Sequence, residues 1–437
     1  MSPPPKPMML SMKNPSEKAI AINNGIVIIT NIYLKMFDIM IRFFIFAIAL
    51  FFPLNSFAVQ AFDDKELDKK GDFNITSRLF IDNVVNDEYQ ATNRKNEYKN
   101  TYLMFDFATI VRLRQKWFGY VNYRIQENPV QASETERRAA LANGGGDKTY
   151  ENHAGVLREL FVGYDGDVVK VYGGKFRPDF GRSYYIGRGI WAGELTAVRY
   201  NLLEKIGVGG LLKAGDEKTI GKYEIGASFF TNDRKNIDNS QITVRDRVSK
   251  SDAKIGDTRS LQSYVVNLDI KYNFAVDEKL FYRFSYMDLS PNSDVLSTTI
   301  AGNKIANQKG YSATMSYLYP LIKNYDVDFF IEYASLKNVA GNSDISEQYL
   351  STSLKNIFYK NWNLTLAYEE SRIKHIDQNG QDNFFSEISA GYTFFGRQQF
   401  FDRLNFQVGH KHLRANNKTD VDKRNSYGLM VRYIKLW

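Results

Sequence analysis

The chain of 437 residues contains no cysteine. Disulfide staples, thiolate metal sites and cysteine nucleophiles are excluded from the start. Proline is scarce too, with ten in all, and only Pro129, Pro178, Pro291 and Pro320 fall after residue 58. So little proline over so long a stretch suits backbone that spends its N–H groups on strand ladders. Beyond residue 60 there is no long apolar run. A bundle of membrane-crossing helices is thereby excluded, since each needs about 20 such residues. The formal charge of +8 is too modest an excess to argue for a nucleic-acid surface. Only four histidines are present, His153, His375, His410 and His412. The last two share a strand face behind Leu404, Phe406 and Val408, where a place at a membrane rim fits better than a metal site.

What is abundant is aromatic, with 28 Tyr and 31 Phe, while 24% of residues are charged. From residue 72 onward the dominant period is two. Tyr264, Val266, Leu268, Ile270, Tyr272 and Phe274 alternate with Ser263, Asn267, Asp269, Lys271 and Asn273. Trp362, Leu364, Leu366 and Tyr368 alternate in the same way with Asn363, Thr365, Ala367 and Glu369. Such alternation gives each strand one apolar and one wet face. A chain that meets lipid with one face and water with the other keeps its average hydropathy low, as barrels do.

Marking every such segment predicts about sixteen strands, an even number as outer-membrane barrels have. They lie near 72–82, 101–114, 116–127, 154–164, 168–177, 205–213, 219–231, 260–274, 278–289, 310–319, 325–337, 347–358, 361–373, 384–395, 400–413 and 425–437. The connections alternate between short and long. The long ones are 83–100, 128–153, 178–204, 232–259, 290–309, 338–346, 374–383 and 414–424. Short periplasmic turns and long outer loops are the asymmetry of bacterial barrels. All four late prolines fall in predicted connections. The expected fold is all-β, a transmembrane antiparallel β-barrel over residues 72–437. A propeller or β-helix would need a fixed-period repeat, and none is visible.

The first 71 residues read as a leader. The segment from Ile39 to Leu54 is strongly apolar and runs into Ser56-Phe57-Ala58, small residues at the two positions a signal peptidase requires. Residues 36–58 are expected to be a signal peptide, with Arg42 as its n-region charge and cleavage after Ala58. Residues 1–35 read as upstream sequence from a mis-called start, and 59–71 as a short periplasmic lead. A membrane anchor is the alternative, against which Arg42 and Pro53 leave too short an uninterrupted span. The stretch 1–58 carries five Lys/Arg and two Asp/Glu, so its removal leaves a charge of +5.

The C-terminus reads Tyr427-Gly428-Leu429-Met430-Val431-Arg432-Tyr433-Ile434-Lys435-Leu436-Trp437. Tyr433 and terminal Trp437, with apolar residues at every second position, resemble the signal by which outer-membrane barrels are recognised for insertion. Lys435 stands where that signal usually has an apolar residue. The stretch Gly174-Lys175-Phe176-Arg177-Pro178-Asp179-Phe180-Gly181 resembles the G-x-F-x-P-x-F-G passage of Gram-negative porins, and is most similar to the phosphate-selective porin O/P family. That resemblance implies a 16-stranded, usually homotrimeric diffusion channel whose third outer loop folds inward to narrow the pore. It places Arg182, Arg188, Glu194 and Arg199 in that constriction loop. The lysine cluster and arginine ladder of phosphate channels find no residue-by-residue match here, so phosphate selectivity is not implied.

If the large apolar positions face lipid, the opposite parity faces the lumen. Arg78, Arg112, Arg114, Arg124 and Arg432 then point inward on four consecutive staves, the last strand and the first three. Glu224, Asp269, Glu332 and Glu387 point inward on others. A basic wall facing separated acids would set a transverse field across a wet constriction. The alternative is that these are scattered charges on a water-filled lumen.

The function expected is a porin: a water-filled channel of the bacterial outer membrane for small hydrophilic solutes and ions, leaning toward anions. No cofactor, metal or catalysis is expected. The partners are outer-membrane lipid and lipopolysaccharide, the barrel-insertion machinery and, from the resemblance, two further copies. A plugged structural or adhesive barrel, or an outer-membrane barrel enzyme, is the rival reading. Liposome permeability separates the channel from both.

Overall fold

A computed structural model of the chain describes residues 73–92, 97, 99–114, 116–127, 148–150, 153–193, 195–232, 255–256, 258, 260–275, 278–291, 305–375, 380–396, 402–417 and 420–437. The leader segments expected within residues 1–72 lie outside the described residues.

Sixteen strands form one closed antiparallel sheet. They are β1 (Phe73–Ala91), β2 (Lys99–Leu113), β3 (Trp117–Glu127), β4 (His153–Asp165), β5 (Val169–Phe176), β6 (Lys205–Asp216), β7 (Gly221–Asn232) and β8 (Ser263–Ala275), then β9 (Glu278–Leu289), β10 (Gln308–Ile322), β11 (Tyr325–Lys337), β12 (Ile345–Phe358), β13 (Trp362–His375), β14 (Gln381–Phe395), β15 (Arg403–Asn417) and β16 (Asp420–Leu436). Each pairs with its neighbour in sequence, and β1 pairs with β16 from Arg78↔Leu436 to Ala91↔Arg424. That last pairing closes the sheet, so no strand edge is left with bare N–H and C=O groups. Lys148 and Thr149 add a small parallel bridge to Asn100 and Thr101.

The exterior is apolar. Leu160, Val162, Val208, Leu212, Ile225, Phe284, Leu366, Ile388 and Val408 are each 44–67% exposed. In water so extensive an apolar surface would drive aggregation. In lipid it is what a barrel wall requires. Aromatic rings bound this belt at both ends. Toward the long loops, Tyr89 stacks on Tyr427 at 4.6 Å between centroids, Tyr264 meets Tyr286 at 6.2 Å, and Tyr311 meets Tyr333 at 6.3 Å. Toward the short turns, Trp117 meets Tyr164 at 5.3 Å and Trp362 meets Tyr392 at 4.6 Å. Amphipathic rings sit where hydrocarbon gives way to headgroups. The chain is therefore a transmembrane β-barrel of the bacterial outer membrane. His410 lies in the upper girdle, hydrogen-bonded to the Tyr89 hydroxyl at 3.1 Å, and His412 pairs with Asn425 at 2.8 Å.

Three strand limits differ from the sequence reading. β1 continues to Ala91 rather than ending near residue 82, and the expected long loop 414–424 shrinks to residues 418 and 419. The polar residues Asn83, Asn86 and Lys423 do not end a ladder that the backbone still sustains: Asn86 has lumen parity, Lys423 lies above the girdle, and Asn83 donates to the Tyr150 hydroxyl at 3.1 Å. Pro320 lies inside β10, not in a connection. It stands at the register shift between Pro320 and Ile322, where one N–H can be spared.

Candidate functional site: the loop inside the barrel

β5 is only 8 residues long. It ends at Phe176, and the chain rejoins the sheet at Lys205. The intervening third outer loop folds inward, with two single-turn helices, α1 (Ser183–Ile186) and α2 (Ala197–Tyr200). Phe176, Phe180, Ala197, Tyr200 and Leu202 pack on Phe230 of β7, Val265 of β8, Met287 and Leu289 of β9, and Ala334 and Leu336 of β11. All those wall residues have lumen parity, so apolar side chains there would be misplaced in an empty wet barrel; they form the seat of the loop. Gly181 has φ +69°, and a Cβ would lie 2.7 Å from the Tyr200 ring, so only glycine fits this step of the motif.

The rest of the loop is held by carboxylates rising from the wall. Glu332 on β11 accepts the Arg182 N–H at 2.5 Å, the Ser183 N–H at 3.0 Å and the Tyr200 hydroxyl at 2.5 Å. Burial and that carboxylate push the Tyr200 hydroxyl well above its ordinary pKa, so it remains a donor. Glu387 on β14 accepts the Ile190 N–H at 2.7 Å and the Trp191 N–H at 3.1 Å. Glu369 on β13 accepts the N–H groups of Gly193, Leu195 and Thr196 and the Thr196 hydroxyl. The loop thus spends its backbone donors on three glutamates, because it has no strand partner of its own. Both ends are pinned by charge. Arg283 of β9 takes Asp179 at 2.7 Å, and Glu204 lies 3.6 Å from Arg158 and 3.5 Å from Lys175.

This changes the roles read from sequence for the acidic residues. Glu332 and Glu387 do not face a wet gap; they are buried under the loop they hold. Asp269 is buried too, bound bidentately to Arg283 at 2.6 and 2.5 Å. Glu224 is enclosed between Lys222 at 3.0 Å and Lys271 at 2.6 Å. Glu369, Asp179 and Asp328 were missed, although Glu369 and Asp328 share the inward parity of their strands, which was the available signal.

The arginines divide into separate environments. Arg78 and Arg124 both reach Asp106 of β2, at 3.4 and 2.5 Å, and Arg432 clasps Asp82 of β1 at 2.8 and 2.9 Å. Asp82 and Asp106, overlooked in sequence, turn the expected basic wall into an alternating ladder of charge. Arg112 lies lower, 3.7 Å from Asp165 near the short turns. Arg114 is not on the wall: it occupies the tight β2–β3 turn with φ 48° and is exposed. A two-strand turn this short needs a left-handed residue, which overrides strand parity.

Within the loop, Arg182 has its guanidinium 3.8 Å from Asp269 and over the Phe281 ring at 5.1 Å. Arg188 binds Asp328 at 2.5 and 3.1 Å. Arg199 is exposed on α2, within electrostatic reach of Tyr349. Glu194 lies outside the described residues. The loop also touches the far wall, where Arg124 donates to the Tyr184 hydroxyl at 3.2 Å.

Beneath the loop, Lys355 points inward from β12. It is opposite Asp328 in register and within electrostatic reach of Arg188, Arg403 and Arg432. Asp328 is already taken by Arg188, and Lys355 makes no ion pair among the described residues. Lys355 was missed in the sequence, where the parity of its strand was the available signal, and only the loop's placement brings Arg188 to it.

Trp191 closes the loop against β16. A Cβ on Gly428 would lie 2.2 Å from the indole Cζ2. Gly428→Ala is therefore expected to dislodge Trp191 and make its fluorescence more accessible to acrylamide; quenching like that of the parent would mean that the contact yields without moving the ring.

At the chain's end, Trp437 exchanges backbone hydrogen bonds with Ser77 at 2.9 and 3.3 Å, and Tyr433 pairs in register with Ile81. Lys435 shares the parity of Tyr433 but is buried, with its amine 3.8 Å from Asp402 at the periplasmic turn. A long stem that carries its charge to the rim is how a lysine is tolerated there.

No protein-family model matches the chain, and no curated protein matches it in sequence. Among solved structures it is similar to the outer membrane channel DcaP of Acinetobacter baumannii, with 11% identity over 87% of this chain and 100% of that one at TM-score 0.48. It is similar to OmpF of Salmonella typhi in complex with daunomycin, with 13% identity, 83% and 97% coverage and TM-score 0.48. A third is the trimer form of OmpT, an outer membrane protein of Vibrio cholerae, with 9% identity, 83% and 100% coverage and TM-score 0.46. None of these likenesses carries a functional residue onto this chain.

Proposed function

We propose that the chain forms a water-filled diffusion channel for small hydrophilic solutes, narrowed by the loop 177–204 and selective for anions. It is not an enzyme in this reading. The observation that carries the anion preference is the group below the loop: Lys355 with Arg188, Arg403 and Arg432 each within its electrostatic reach, against the carboxylates of Asp328 and Asp82. Four cations against two acids leave a positive field where the passage is narrow, and a low-dielectric wall focuses it. The G-x-F-x-P-x-F-G passage and the inward loop support a place nearest the phosphate-selective porin O/P family, and that resemblance supports a homotrimer.

The reversal potential of the purified protein in a planar bilayer under a KCl gradient tests this. It should favour chloride. Lys355→Glu should shift the permeability ratio toward potassium several-fold, because two charge units at ~8 Å in water lower a potassium ion's energy and raise a chloride ion's by about 1 kcal/mol each before salt screens them. An unchanged ratio would remove Lys355 from the pathway. A plugged barrel is the second reading, favoured by the apolar seat that fills the lumen beside β7–β12. Folded protein without conductance would select it.

A further inference from the structure

Below the loop, the lumen face of β3–β5 is aromatic where a barrel interior is expected to be polar. Phe118 and Tyr120 of β3, Phe161 of β4 and Tyr172 of β5 form one cluster with Ile110 of β2, and no residue of the loop belongs to it. The rings follow one another closely. Between centroids, Phe161 is 6.0 Å from Phe118, 5.0 Å from Tyr120 and 5.6 Å from Tyr172. Tyr172 then meets Phe176 at 5.1 Å, where the seat of the loop begins. The seat accounts for that upper end. It does not account for Phe118, which stands beside the short β2–β3 turn.

Ring and glycine alternate along this wall. Phe118, Gly163, Tyr172 and Gly209 stand in one line of register across β3, β4, β5 and β6. A Cβ on Gly163 would lie 2.7 Å from the Phe118 ring, and one on Gly209 2.5 Å from that of Tyr172. Each ring therefore reaches sideways over the next strand instead of standing up into the lumen. Tyr120, Phe161 and Tyr172 are half-buried, so rings laid along the wall keep surface for a solute. Just below, three cations meet one acid. Arg112, Lys170 and Lys213 converge on Asp165, Lys213 by a hydrogen bond and the other two at 3.7 and 3.8 Å. Arg112 and Lys170 donate no hydrogen bond among the described residues, so both keep donors for an anion. The Lys170 amine stands 5.2 Å over the Phe118 ring, which joins the cations to the rings.

We infer that this wall binds small aromatic carboxylates, with the ring on Phe161 and Tyr172 and the carboxylate on Lys170 and Arg112. Offset stacking suits a planar ring laid against others, and charge-assisted hydrogen bonds suit its carboxylate. A small inorganic anion would use the cations and leave the rings idle. An uncharged ring would do the reverse. Only a solute with both parts uses their juxtaposition. The inference requires a lumen open below the loop; it does not depend on the ion preference proposed above, whose carrier Lys355 lies on β12.

The test titrates the full chain, folded in detergent, with benzoate, acetate or benzyl alcohol and reads binding by saturation-transfer NMR, with micelles alone as the background. Benzoate should bind roughly tenfold more tightly than acetate, which lacks the ring, or benzyl alcohol, which lacks the charge. Lys170→Gln should weaken benzoate to the level of benzyl alcohol. Phe161→Leu/Tyr172→Leu keeps apolar side chains but removes the rings, and should weaken benzoate to the level of acetate. Lys323→Gln at the β10–β11 turn should leave benzoate binding unchanged. Benzoate bound by the parent protein no better than either partial mimic would overturn the inference, whatever the variants do. So would an undiminished preference in the folded Lys170→Gln or Phe161→Leu/Tyr172→Leu protein. The readout needs no ion current, so a protein that conducts without preferring benzoate loses this site and keeps the channel.

Discussion

Glu369→Ala is expected to raise the single-channel conductance and to admit larger sugars in liposome swelling. The Glu369 carboxylate is buried on β13 and accepts three backbone N–H groups and one hydroxyl from residues 193–196. Hydrogen bonds to a charged group contribute about 1.5–3 kcal/mol each, and buried donors left unpaired cost a similar amount. Even with partial hydration of the freed donors, the segment loses on the order of 4 kcal/mol of tether. Glu332 and Glu387 still hold the loop at residues 182–183 and 190–191, so the middle swings while the ends stay. The sheet itself should be unaffected, because its ladder bonds do not involve this side chain. Glu369→Gln keeps one accepting oxygen and turns an amide N–H toward the loop's own donors, so its conductance should fall between the two. Parent-like conductance and an unchanged size limit in Glu369→Ala would show that residues 193–196 do not bound the narrowest point.

Much of the barrel was legible because a lipid-facing strand leaves a two-residue period that few other structures imitate. Tyr264 to Phe274 and Trp362 to Tyr368 could be assigned to strands, and to a face, with no knowledge of their neighbours. The misreadings share one physical origin: a single strand does not reveal what lies across the lumen. Parity put Arg78, Arg124 and Arg432 inside, yet their charge is partly cancelled by Asp82 and Asp106, whose heights depend on register between strands. Glu332 and Glu387 looked like wet acids, and only the path of residues 182–191 shows them to be buried acceptors. Arg114 illustrates the converse, where a turn of a few residues demands a left-handed backbone and parity no longer applies. The loop's seat was hidden for the same reason. Phe230, Met287 and Leu336 break the polar-in rule of a barrel, and each such break now reads as a place where something packs inside.

The largest loss of stability is expected at Arg283. Its guanidinium is 2% exposed, binds Asp269 on the next strand at 2.6 and 2.5 Å, and reaches Asp179 of the loop at 2.7 Å. Arg283→Met keeps the volume and removes the charge, leaving the buried Asp269 carboxylate without its bidentate partner and facing the Arg182 guanidinium at 3.8 Å and the Asn267 amide at 3.2 Å. Breaking a buried pair in this way costs about 3–5 kcal/mol, most of it the penalty for the orphaned charge rather than the value of the pair. The temperature at which the folded barrel loses its fast gel migration should fall accordingly, and the loop should loosen at Asp179. The double variant Arg283→Met/Asp269→Leu separates the causes. With both charges gone, β8 and β9 meet in an apolar contact with the Arg182 guanidinium still alongside over the Phe281 ring, and replacement of both members of such a pair is often close to neutral. Recovery of most of the lost thermal stability would identify the orphaned carboxylate as the cause. A double variant no more stable than the single one would place the loss in packing instead, where the guanidinium lies 5.8 Å from the Phe281 ring, with Arg182 at 5.1 Å from the same ring. Loosening at Asp179 should persist in both variants, because neither restores the loop's partner. Conductance that rises in both while stability recovers only in the double would therefore divide the two jobs of Arg283, bracing the wall and tethering the loop.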